Sequence, residues 1–151
     1  MGVPPSGGAH ERVKPHRQGA ISAIQLLAGA LLIVAATVMP FATYEDTSSH
    51  TTTTFRGGSL SAVLVVLAAV SIALAVVSLR QSARLLIGIQ IAIGCTATVV
   101  SIVLALGKIR AANSVTAINP SRTSYGWGSV VAVATSAALA VTSVVARSYA
   151  D

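Results

Sequence analysis

The sequence predicts an all-α membrane protein, a four-helix antiparallel transmembrane bundle with a short extracytoplasmic β-hairpin or Thr-rich loop between its first two helices. Four segments, at 21–39, 60–79, 85–106 and 129–146, lack Asp, Glu, Lys, Arg and His. About 20 such residues are what a helix needs to cross ~30 Å of hydrocarbon. Only 9% of the 151 residues are charged while 54% are apolar, far from the ~25% charged of soluble domains. The aromatics cluster at segment ends: Phe41, Tyr44, Phe55, Tyr125 and Trp127 flank one side and Tyr149 the other, where amphipathic rings anchor at headgroup level.

Residues 1–19 read as a disordered, basic cytoplasmic tail rich in Pro and Gly, and residues 20–150 as one membrane domain. The loose myristoylation pattern at Gly2 is a weak match, because Pro4 and Pro5 follow it. The first apolar run follows Arg12, Lys14 and Arg17, as in a signal peptide. It is longer than a usual h-region, however, and Pro40-Phe41-Ala42 is a poor cleavage site, so it reads as a retained helix. With the N-terminus inside, the cytoplasmic side carries Arg12, Lys14, Arg17, Arg80, Arg84 and Arg147, against Arg56, Lys108, Arg110 and Arg122 outside. That asymmetry favours both termini in the cytoplasm and a plasma (inner) membrane location. The +6 charge belongs to topology and to contact with the lipid bilayer, and no basic soluble face suits nucleic acid.

After the first segment, 43–45 and 51–55 read as short strands around an Asp-Thr-Ser-Ser-His turn, with a solvated Thr-rich loop as the equal alternative. Gly57-Gly58 ends the second strand and lets the second helix begin. Only a few residues join the second and third helices, which makes them antiparallel neighbours. The third helix should continue past Leu106 through Lys108, Arg110 and Ala112 before Asn119-Pro120 stops it.

Inside the membrane the informative residues are small or weakly polar. Gly88, Ala92 and Thr96 repeat every four residues on the third helix, while Gln90, Gly94, Ala97 and Ser101 form a stripe about 200° away. This reading packs the third helix on two faces. Gly128, Ala132, Ser136 and Ala140 repeat similarly on the fourth helix. Such small-xxx-small rows let helix backbones approach closely in lipid, so the third and fourth helices should form the tight pair. Gln25 and Gln90 sit at matching depth, and an amide in hydrocarbon seeks a partner. A helix-to-helix clasp is the favoured expectation, and a polar lining for a ligand or ion path the alternative.

Catalytic chemistry finds no foothold. His10, His16 and His50 lie far apart outside the apolar segments, and metal-ligand spacing is absent. The single cysteine, Cys95, excludes an intramolecular disulfide and reads as a small buried hydrophobe. Gly57-Gly58-Ser59 and Gly126-Trp127-Gly128-Ser129 imitate nucleophile turns, but no intramembrane His could activate either Ser. Glu45 and Asp46 would point opposite ways on a strand, and no apolar segment carries the Glu of a small proton-coupled exporter. No enzyme activity and no cofactor are expected.

Met39-Pro40-Phe41-Ala42-Thr43, the Thr-rich loop to Phe55-Arg56-Gly57-Gly58, and Ser124-Tyr125-Gly126-Trp127-Gly128 resemble the small four-pass membrane proteins of actinobacteria, including the tryptophan-operon-associated type. The likeness spans roughly residues 20 to 146, with Phe41 where that type usually has Trp. It implies a four-pass fold and no settled activity. Three functions fit: a non-enzymatic cell-envelope protein that binds or stabilises a membrane-protein partner or a second copy of itself; a prophage-encoded superinfection-exclusion or immunity protein; and a holin-like or small-solute pore. The last is disfavoured because no polar stripe is long enough to line a water path.

Overall fold

A computed structural model describes residues 14–47, 49–80, 84–116 and 121–148. Four helices, α1 (Lys14–Thr37), α2 (Ser59–Arg80), α3 (Arg84–Thr116) and α4 (Trp127–Ser148), are joined by three strands, β1 (Ala42–Asp46), β2 (Thr51–Phe55) and β3 (Ser121–Tyr125). Each helix holds a stretch long and apolar enough to cross a membrane: Gly19–Thr37, Ser59–Leu79, Leu85–Ser114 and Trp127–Ser148. The chain is thus a multi-pass membrane protein by length and composition.

The helices form a ring in which α1 touches α2 and α4, and α3 touches the same two. α1 and α3 therefore face each other along a diagonal. The most extensive contact is between α3 and α4, the pair that carries the small-residue rows. The centre is built from Leu32, Leu64, Leu104 and Leu139 among alanines such as Ala35, Ala68, Ala97 and Ala132. Larger side chains such as Leu27, Val66, Val99 and Val141 point outward. Lipid is as apolar as leucine, so burying large side chains gains little, and small ones inside permit close backbone approach.

α3 has 33 residues, a length of about 50 Å at 1.5 Å per residue, more than the ~30 Å of hydrocarbon, and it contacts β1 and β3. The residues 43–45 and 51–55 do form a hairpin, with His50 in the left-handed region at its turn (φ 52°), a conformation His tolerates better than most residues. Sequence reasoning did not foresee β3. It pairs antiparallel on the other side of β1, so β1 is central in a three-stranded sheet of order β2-β1-β3. Thr43 lies opposite both Thr54 and Ser124, and its hydroxyl meets that of Ser124 at 2.6 Å.

Several expectations need correction. α1 starts at Lys14, so 14–19 are helical rather than part of a tail. Pro15 does not prevent this, because a first-turn residue needs no partner for its N–H. Residues 1–13 and Tyr149 lie outside the described residues. Phe41 and Tyr44 are not interface anchors: both are buried, Phe41 where α1 turns into the sheet and Tyr44 on the same face of β1 as Ala42. Phe55 is half-buried, whereas Tyr125 and Trp127 are exposed, the position a headgroup anchor requires.

The Gly88, Ala92, Thr96 row is not a packing face. All three residues are exposed, a Cβ on Gly88 would have nothing within 4 Å, and the Thr96 hydroxyl bonds back to the Ala92 carbonyl at 2.8 Å. The opposite stripe of Gln90, Gly94, Ala97 and Ser101 is buried. A glutamine turned toward lipid would leave its amide without partners, so the helix rotates the glutamine stripe inward. Cys95, one turn beyond Ala92, is consequently exposed on the outer face instead of buried.

Candidate functional site

Two groupings of hydrogen bonds tie separate elements together in the interior of the described residues. The first lies at the end of the bundle away from the sheet, where α1 and α3 begin and α4 ends. Gln25 and Gln90 are almost fully buried, and they meet across the diagonal: Gln90 Nε2 donates to Gln25 Oε1 at 3.2 Å. Gln25 Nε2 donates in turn to Ser143 Oγ at 3.2 Å, and Ser143 Oγ donates to the Leu139 carbonyl at 2.7 Å. The network thus joins three helices: the two amide donors reach acceptors on other helices, and the Ser143 hydroxyl ends the chain on its own helix. Helices on a diagonal are too far apart for short side chains, and glutamine has the reach.

Chemically this arrangement holds but does not react. Glutamine and serine do not titrate in the physiological range, so the network offers no group that could take up and release a proton, as an intramembrane Asp, Glu or His would. Its natural role is to fix which faces of α1, α3 and α4 meet. Interhelical bonds of this kind contribute roughly 0.6 to 2 kcal/mol in membranes.

The second grouping joins the helices to the sheet. The chain leaves α1 through Pro40 and Phe41, whose backbone is held from two sides. Phe41 N–H donates to the Phe55 carbonyl at 2.8 Å, Gly126 N–H to the Phe41 carbonyl at 3.0 Å, and Gly128 N–H to the Pro40 carbonyl at 2.9 Å. Both glycines are required by close approach. A Cβ on Gly126 would overlap the Pro40 carbonyl oxygen, and one on Gly128 would stand 2.7 Å from that oxygen and 2.9 Å from Met39 Cβ. Ser129, which follows them, donates its hydroxyl to the Gly126 carbonyl at 2.7 Å. That bond lies within the first turn of α4 and occupies the hydroxyl that imitated a nucleophile. The Pro-Phe and Tyr-Gly motifs noted in the sequence are therefore one structural joint.

The fourth-helix row sits inside: Gly128, Ala132 and Ser136 are buried and Ala140 half-buried. The Ser136 hydroxyl bonds back to Val133 at 3.1 Å. Opposite Ala140 lies Gly94, where a Cβ would come within 2.7 Å of the Ala140 backbone nitrogen. Ser101 is fully buried, and its hydroxyl has no hydrogen-bond partner among the described residues. Among those residues no three His, Cys, Asp or Glu side chains cluster closely enough to hold a metal ion.

Sequence reasoning missed Ser143, because a serine near a helix end in an Ala/Ser/Thr/Val-rich segment carries no distinguishing signal. It missed β3 and the contact of Asn113 Oδ1 with the Thr123 hydroxyl (2.6 Å), which ties β3 to the end of α3. No protein-family model matches the chain, and no characterised protein is significantly similar to it.

Proposed function

We propose that this chain is a non-enzymatic envelope protein of the bacterial plasma membrane that binds a membrane partner, with both termini in the cytoplasm and the sheet outside. The observation that carries the reading is the division of polar and small groups. The buried amides are turned on one another, as a structural clasp requires, while α3 presents Gly88, Ala92, Cys95 and Thr96 outward, where its own bundle makes no use of them. In lipid a small-residue face is what another helix packs against. The six-against-four distribution of Lys and Arg supports the orientation, and the exposed strand β2 leaves Thr51–Thr54 accessible beside the membrane.

A photo-reactive residue in place of Ala92 should give a discrete adduct in native membranes, and the same residue at Val141, on the large-residue outer face of α4, should not. The adduct mass distinguishes a second copy from another protein, and a phage component captured there would move the reading to exclusion. No adduct at position 92, or equal labelling at both positions, would remove the partner assignment. Orientation has its own check in a Cys95→Ser background. Thr53→Cys should react with an impermeant thiol reagent on intact cells and Gln81→Cys should not, and reversed labelling would invert the topology.

A further inference from the structure

We propose that the cleft between the start of α2 and the outer turns of α3 binds a phospholipid with an anionic headgroup. A cavity of about 200 Å³ lies there, lined by Gly58, Ser59 and Leu60 from one side and Val103, Gly107 and Lys108 from the other. Its lining is graded like an amphiphile. Lys108 lies just past the apolar run of α3, Ser59 opens α2, and Val103 is more than a turn deeper on a lipid-exposed face. Two wall positions are glycine: a Cβ on Gly107 would meet nothing within 4 Å, and one on Gly58 would meet only the Lys108 ammonium, at 3.7 Å.

Lys108 is half-buried with its ammonium near Gly58, just before α2, and among the described residues no ion pair holds it. The segments at this end of the bundle carry Arg56, Lys108, Arg110 and Arg122 against Glu45 and Asp46, four cations to two carboxylates. A positive group lining a cavity, in a region with excess positive charge, is complementary to a headgroup of net negative charge. The exposed Tyr125 and Trp127 at the same end mark headgroup level. A lysine that merely snorkels to water would need no cavity beneath it. A groove for acyl chains alone would need no cation. An anionic phospholipid uses both, with its phosphate on Lys108 and the first part of a chain along Val103.

The test uses the full chain in detergent micelles, with phosphatidylglycerol and phosphatidylcholine offered at equal concentration and retained lipid read by native mass spectrometry. Phosphatidylglycerol should be retained in preference. Lys108→Gln should lower that preference about fivefold. Gly107→Leu should abolish it, since this variant fills open space at a position where leucine favours the helix; its helical content, read by circular dichroism, should match that of the unmodified chain. Equal retention of the two lipids by the unmodified chain would overturn the proposal, as would a preference that survives both substitutions. Inorganic phosphate is the remaining arm. If phosphate alone displaces phosphatidylglycerol at millimolar concentration and protects the chain from heat as well as the lipid does, the site is one for free anions and the lipid assignment falls.

Discussion

Gly126→Ala should be the most damaging single-methyl change in the molecule. The added Cβ would overlap the Pro40 carbonyl oxygen, a backbone atom that also accepts the Gly128 N–H bond at 2.9 Å. Relief therefore means moving the α1–β1 connection away from α4, which breaks the bond from Gly126 to Phe41 and uncovers the Phe41 ring. Overpacking costs about 1 to 3 kcal/mol when side chains can adjust. Here the obstacle is backbone, and a loss above about 3 kcal/mol is expected. Thermal unfolding in detergent should show a large fall in midpoint, and Gly58→Ala, whose Cβ makes only an ordinary contact, should show little. A Gly126→Ala protein as stable as the parent would mean that the joint between helices and sheet is not closed as described.

A second large effect separates the two faces of α3. At Gly94 a Cβ would lie 2.7 and 2.8 Å from the backbone nitrogen and Cα of Ala140, so Gly94→Val should force α3 and α4 apart and cost about 3 kcal/mol or more. Ala132→Leu, in the fully buried part of the facing row, should act in the same direction. Gly88→Val is the control, because that position is open, and it should leave the stability of the isolated chain nearly unchanged. If Gly88→Val is the harmful change and Gly94→Val the silent one, α3 is rotated by half a turn relative to this account.

That contrast also shows what the sequence could and could not reveal. The four spans were legible because hydrocarbon thickness demands about 20 uninterrupted apolar residues, and the Gln90 stripe was visible as a period. Two small-residue stripes on one helix cannot be ranked by size alone. What ranks them is the amide of Gln90, which must be buried with partners, and its partners lie on other helices. Phe41 and Tyr44 stood at a segment end, where aromatics usually meet headgroups, but the fold buries both. β3 was hidden because Ser-Arg-Thr-Ser-Tyr has no alternating apolar pattern. Its strand conformation comes from pairing with β1 across about 80 residues of sequence, a non-local cause. Gly126 and Gly128 looked like part of a nucleophile turn, and only the neighbouring Pro40 carbonyl explains them.

The central claim is that the buried amides form a structural clasp and do not line a path for a ligand or ion. A double-mutant cycle on Gln25→Leu and Gln90→Leu, read as unfolding free energy in detergent, tests it most directly. Gln25 bonds to both Gln90 and Ser143, while Gln90 donates to Gln25 alone. Each single change should therefore cost roughly 0.6 to 2 kcal/mol, Gln25→Leu the more, and the double mutant should lose less than the sum because one bond is shared. None of these groups titrates, so the losses should be the same at pH 5 and pH 8. Strictly additive losses, or single mutants as stable as the parent or more so, would contradict the clasp, since a polar group kept for transport burdens the fold.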